Sequence, residues 1–235
     1  MILIDCLNLC LQYGDKVIVK NFSYSFKPAD YVCIVGENGS GKSTLLSGIL
    51  GLKTLAGGKV ILKGLKKNEI GFLPQKTNLK IDFPASVFEV ALSGFCAQTG
   101  FFNSYSSKQK ARVVEILKTL KMEHLLNCSF MKLSKGQQQR VLFARAVCAA
   151  KKILFLDEPC ASFDPVITSQ IYCFIQQLQI EHNLAVIMIT HDLKQVFRFT
   201  KTIFHLQNEA VFVGSPADYV KTDFGRRFLG GIESC

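Results

Sequence analysis

Gly36-Glu37-Asn38-Gly39-Ser40-Gly41-Lys42-Ser43 lies between a continuous apolar run, Tyr31-Val32-Cys33-Ile34-Val35, and a second apolar stretch over residues 44–50. The octapeptide fits G-x-x-x-x-G-K-[ST], and its flanks predict the strand before it and the helix after it that such a loop requires. Gly36, Gly39 and Gly41 let the backbone curl so that successive N–H groups face one point, and the helix N-terminus adds a dipole that favours an anion. In that setting Lys42 reaches the β- and γ-phosphates of a nucleotide, and the Ser43 hydroxyl is a ligand for Mg2+. A chance glycine-rich turn would not bring strand, loop and helix into register.

On the N-terminal side, residues 2–26 hold two apolar segments separated by Tyr13-Gly14-Asp15-Lys16, which predicts an antiparallel hairpin. On the C-terminal side, residues 59–63 and 69–73 read as short strands divided by Gly64. Residues 86–92, 107–126 and 136–150 then read as helices with no strand between them. Residues 153–156 and 185–189 are again buried strands joined by a helix near 166–181, and residues 202–213 supply a last strand pair. The expectation is one α/β domain over residues 1–235. Residues 1–83 and 151–235 form its P-loop core with an antiparallel β subdomain, and residues 84–150 form an inserted α-helical subdomain. The strand Ile153-Leu154-Phe155-Leu156 ends in Asp157-Glu158, which places two carboxylates at the sheet edge where ligands of such folds bind. Asp157 suits Mg2+, and Glu158 suits a general base for the water attacking a γ-phosphate.

Composition excludes several alternatives. With 235 residues and 49% hydrophobic side chains the chain buries a substantial core. The net charge of +10 is spread thinly, without the polybasic tracts that bind DNA or lipid. Nine cysteines, odd in number and never spaced C-x-x-C, argue against a disulfide framework and for a reducing cytosol. No stretch reaches the roughly 20 apolar residues of a membrane span, and no basic segment precedes the N-terminal apolar one as in a secretory signal.

These residues, together with Leu133-Ser134-Lys135-Gly136-Gln137 shortly before the Asp157-Glu158 strand, resemble the ABC ATPase family, whose signature is L-S-G-G-Q ahead of a helix. Lys135 stands where glycine is commoner, and a requirement for positive φ there would strain it. The resemblance implies ATP and Mg2+ as ligands, bound by Gly36, Glu37, Asn38, Gly39, Ser40, Gly41, Lys42, Ser43 and Thr44, with Tyr13 as a platform for the adenine ring. It implies an ATPase dimer, with two copies of this chain the expected pair, in which the signature of one subunit closes the nucleotide site of the other. Gln75 resembles the glutamine that contacts Mg2+ and the attacking water. Asp164, in Ala161-Ser162-Phe163-Asp164, resembles the acid of the loop crossing the dimer interface, and His191 the histidine that bridges γ-phosphate and catalytic glutamate. His124, His182 and His205 have no such context.

Pro74-Gln75-Lys76, Ile81-Asp82-Phe83-Pro84, Val87 and Glu89-Val90-Ala91-Leu92 are similar to the ATPases of zinc, manganese and iron uptake. That similarity implies import of a metal cation through separate transmembrane permease subunits, with a substrate-binding protein engaged indirectly, no nucleic acid partner, and a place on the cytoplasmic face of the cell membrane. An exporter or lipoprotein-release ATPase, or a soluble ABC protein on ribosomes or DNA, are the alternatives. No histidine or cysteine cluster has metal-ligand spacing, so Mg2+ is the one metal expected to bind directly.

Overall fold

The computed structural model describes residues 1–14, 16–75, 84–98, 104–161, 163–207 and 209–230, with backbone alone at 193, 194 and 228–230. In chain order its elements are β1 (Ile4–Tyr13), β2 (Lys16–Phe26), β3 (Tyr31–Val35), α1 (Lys42–Ile49), β4 (Gly57–Leu62), β5 (Ile70–Leu73), α2 (Val87–Leu92), α3 (Ser107–Thr119), α4 (Lys135–Ala149), β6 (Ile153–Asp157), α5 (Pro165–His182), β7 (Ala185–Ile189), α6 (Leu193–Phe199), β8 (Thr202–Gln207), β9 (Ala210–Gly214), α7 (Pro216–Lys221) and α8 (Asp223–Gly230). By their contacts they fall into two compact units: Met1–Gly64 with the chain from Ala185 onward, and Leu65–Leu184. No helix among the described residues is long and apolar enough to cross a membrane.

In the first unit the expected hairpin forms: β1 and β2 pair antiparallel from Ile4↔Phe26 to Tyr13↔Lys16, and β4 joins the other edge of β1. The second sheet of this unit runs β7-β3-β8-β9, parallel across β7, β3 and β8 and antiparallel at β9. All five residues of β3 and all five of β7 are buried. Their unbroken apolar sequence, rather than an alternating one, is what a parallel strand covered on both faces requires. The two sheets meet through aromatics: Phe22, Tyr24 and Phe26 set their edges or faces on Phe204 of β8 at centroid distances of 5.3, 4.8 and 6.0 Å.

The second unit pairs β5 with β6 in parallel and packs four helices. Three of these helices open with the same device. Ser86, Ser106 and Ser134 each accept a hydrogen bond from the N–H three residues on, while Glu89, Gln109 and Gln137 reach back to the capping residue's own N–H. α5 begins at Asp164 with Pro165 in the first turn and closes at Asn183 in the left-handed region.

One expectation is corrected. The helix over 107–126 stops at Thr119, because Lys121 turns left-handed (φ 56°), its N–H bonds Lys118 O at 2.9 Å, and the Met122 N–H bonds Leu117 O at 2.8 Å. That pattern usually carries glycine, so a lysine there hides the stop. Beyond residue 190 the strand pair forms, and α6, α7 and α8 also form, though no periodic run longer than two turns announces them.

Candidate active site

The first unit holds the phosphate loop. β3 ends at Val35, and Gly36, Gly39 and Gly41 take φ of 141°, 80° and 100°. A Cβ at Gly36 would lie 2.7 Å from the Leu206 carbonyl, and one at Gly41 would collide with Ile18, so both positions exclude a side chain as well as needing positive φ. Lys42 opens α1, is 6% exposed, and folds its ammonium onto the loop, donating to the Gly36 and Glu37 carbonyls at 2.9 and 2.8 Å. Gly41 caps α1 without any side-chain acceptor, and the buried Ser40 hydroxyl has no hydrogen-bond partner among the described residues. A helix N-terminus without a side-chain cap, an orphaned hydroxyl and a buried ammonium fit a polyphosphate. Ser43 is exposed and Thr44 half-buried on the same helix.

Tyr13 ends β1 with its ring 75% exposed and the Lys53 ammonium 4.5 Å from the ring centroid. His191 follows β7 and is exposed. Next to it the Asp192 carboxylate caps α6, accepting from the Gln195 N–H at 3.3 Å.

The second unit holds the carboxylates. Asp157 is the last residue of β6 and is 4% exposed. Glu158 follows at φ 50°, a left-handed conformation costly for a non-glycine residue and typical of sites where geometry is over-determined. Its Oε2 accepts a hydrogen bond from Gln75 Nε2 at 2.9 Å, joining residues that stand 83 positions apart. The structure thus brings together the expected base and the glutamine; neither the strain nor the bond has a signal in the sequence. Within this unit the carboxylate of Asp157 and the amide oxygen of Gln75 are hard donors of the kind Mg2+ takes, and so, in the first unit, is the Ser43 hydroxyl.

Ser134 caps α4, and Lys135 is its first helical residue, absent from the left-handed positions; a lysine is therefore unstrained there. Leu133 is buried, Ser134 and Lys135 exposed, and Gly136 and Gln137 half-buried. Asp164 Oδ1 accepts from the Val166 and Ile167 N–H groups at 3.1 and 2.9 Å, and the Ile167 bond in particular holds its carboxyl below the usual carboxylate range. Asp15, Lys76, Ile81, Asp82, Phe83 and Ser162 lie outside the described residues.

A family model described as ABC transporter matches residues 19–161. The zinc import ATP-binding protein ZnuC 1 of Aliivibrio fischeri is 35% identical over 93% of this chain and 80% of its own length. The zinc uptake system ATP-binding protein ZurA of Listeria monocytogenes is 31% identical over 92% of this chain and 87% of its own. The manganese transport system ATP-binding protein MntB of Halalkalibacterium halodurans is 33% identical over 96% and 91%. Among solved structures, the dimeric bacterial ABC transporter cassette MJ0796 superposes with a TM-score of 0.77 at 29% identity, covering 90% of this chain and 98% of that one. With a family model over more than half its length, and relatives a third identical across nearly all of it, the chain belongs to the ABC transporter family.

Proposed function

We propose that this ABC transporter ATPase drives import of a divalent metal cation, zinc or manganese foremost and iron as a further candidate, through separate membrane permease subunits. Relatives named for zinc and manganese uptake, similar across more than nine-tenths of the chain, carry the metal reading. The phosphate loop and the Gln75–Glu158 pair support the ATPase chemistry.

In this reading the loop N–H groups and Lys42 hold the phosphates, and the exposed Tyr13 ring stacks against the adenine. Ser43, Asp157 and Gln75 are the residues that would hold Mg2+, which would supply positive charge against the phosphates. Glu158 accepts the proton of the attacking water, with its carboxylate aimed by Gln75, and His191 donates toward the γ-phosphate. A second copy supplies Leu133 to Gln137, whose helix dipole and Ser134 hydroxyl add donors when the pair closes. Closure of the ATP-bound pair moves the permease, and hydrolysis reopens it. The subunit then sits at the cytoplasmic face of the membrane, where its permease holds it.

The test reconstitutes the chain with its permease and binding protein and measures ATP hydrolysis with the binding protein empty or loaded with Zn2+, Mn2+ or chelated iron. Stimulation by one loaded metal is expected. Turnover indifferent to all three would sink the metal assignment and leave the ATPase standing.

A further inference from the structure

Lys53 is placed by the way α1 ends. The helix stops at Ile49, Leu50 caps it, and Gly51 turns left-handed at φ 69°. The Gly51 N–H bonds Gly48 O at 3.1 Å and the Leu52 N–H bonds Ser47 O at 2.9 Å, the paired bonds that reverse a chain at a helix end. Three residues past Lys53, the Ala56 N–H bonds Cys10 O at 2.8 Å, and Gly57 pairs with Cys10 as β4 begins. The short connection is therefore pinned to α1 at one end and to β1 at the other. Lys53 is half-buried within it, and its ammonium lies 4.5 Å from the centroid of the Tyr13 ring, inside the range of a cation–π contact.

The backbone at Tyr13 is fixed by the same framework. Tyr13 closes β1 and pairs with Lys16 across the hairpin. Just before it, Leu11 packs on α1 so closely that a Cβ at Gly48 would lie 2.8 Å from a Leu11 methyl carbon; just after it, Ile18 fills the space beside Gly41. The hairpin end is thus held against the phosphate loop and the helix that follows. The ring is less constrained: Tyr13 is 75% exposed, so with an ammonium over one face the opposite face is open to solvent. An exposed aromatic side chain loses rotamer freedom when it stacks on a base, and a cation that already holds the ring lowers that loss. The cation also draws π-electron density toward itself, which makes the open face a better partner for an electron-rich purine.

We propose that Lys53 is a positioning residue for the adenine: it holds one face of the Tyr13 ring so that the opposite face is preset to stack on the base. The proposal rests on the reading of Tyr13 as the adenine platform and goes beyond it by naming the side chain that presents that platform. Lys53 itself touches neither base nor phosphate in this arrangement. The adenine is remote from the reacting phosphate, so the stacking contributes equally to the bound nucleotide and to the transition state. Its loss is therefore read in KM rather than in kcat.

The test uses the full complex with its permease, comparing wild type with Lys53→Met, Lys53→Arg, Tyr13→Leu and the double variant Tyr13→Leu/Lys53→Met. Hydrolysis is measured against MgATP concentration, and its inhibition against inorganic tripolyphosphate, which carries the charge of the nucleotide without the base. Lys53→Met keeps the aliphatic stem and loses the cation. Its KM for ATP is expected to rise about two- to fivefold, the equilibrium factor of an exposed cation–π contact, with kcat unchanged. Lys53→Arg keeps a cation over the ring and restores the wild-type KM. In the Tyr13→Leu background the methionine adds nothing further, the non-additivity of two residues that act through each other. The inhibition constant of tripolyphosphate stays the same in wild type and Lys53→Met. A wild-type KM in Lys53→Met would overturn the proposal. So would an equal rise in both backgrounds, or a matching loss for tripolyphosphate, either of which would make Lys53 an electrostatic partner of the phosphates. A wild-type KM in Tyr13→Leu would instead overturn the adenine platform beneath it.

Discussion

At the scale of single residues, Glu158 shows what the site demands. A glutamate at φ 50° gives up backbone comfort to place its carboxylate beside Gln75. Glu158→Gln keeps the shape and loses the proton acceptor, so turnover should fall by about 10²–10⁴-fold with ATP binding intact, as single-turnover hydrolysis and nucleotide binding would reveal. His205, which has no functional context in the sequence, is part of the core. It is 4% exposed on β8, its Nδ1 is 2.8 Å from the Tyr219 hydroxyl, and burial holds its pKa below the ordinary 6.5, with Glu37 opposing and Lys42 adding to the shift. The folded chain thus binds this proton less readily than the unfolded chain. Its contribution to stability is complete above pH 6.5 and is lost as pH falls from there through the folded pKa. Thermal midpoints of wild type should drop across that window, and His205→Gln should flatten the drop; equal slopes for both would refute the assignment.

At the scale of elements, caps govern where helices begin and end. Ser86, Ser106, Ser134 and Ser215 all accept from the N–H three residues on, in a Ser-x-x-Glu/Gln/Asp pattern that the sequence reading did not use. The end of α3 was not legible, because Lys121 occupies the left-handed position that glycine usually takes. Lys121→Gly removes that strain and should raise stability by about 0.5–1 kcal/mol, read as a higher urea midpoint with an unchanged slope. A lower midpoint would mean that the lysine side chain holds something more than its backbone shows. The short α6, α7 and α8 escaped the sequence reading for a related reason. Six to eight residues give too little periodicity to stand out, and these helices form where Tyr219 and Phe224 find His205 and Phe212 to pack against.

At the scale of the whole molecule, chemistry and core divide the cysteines. Cys33 in the first unit and Cys148 in the second are buried, and desolvation pushes both thiols up to about 12, so at neutral pH they are protonated and sheltered. Cys96 and Cys173 are exposed. Maleimide should therefore modify the exposed pair in the native protein and reach Cys33 and Cys148 only on unfolding, with peptide mapping reporting the opening of each unit separately. Native labelling of Cys33 or Cys148 would contradict the packing.

The sequence by itself determined the chemistry. A phosphate loop, an acidic pair after an apolar strand and a signature ahead of a helix are local patterns, because each depends on backbone conformations and side-chain spacings that neighbouring residues dictate. It likewise determined most strands, since an unbroken apolar run of five residues has few other ways to be buried. Only the tertiary structure decided that Gln75 meets Glu158, that Arg140 meets Phe163 and Asp164, and that His205 is buried beneath Tyr219. Those contacts join residues far apart in the chain, and which side chains meet is fixed by how strands and helices pack, a matter on which no short window of sequence carries information.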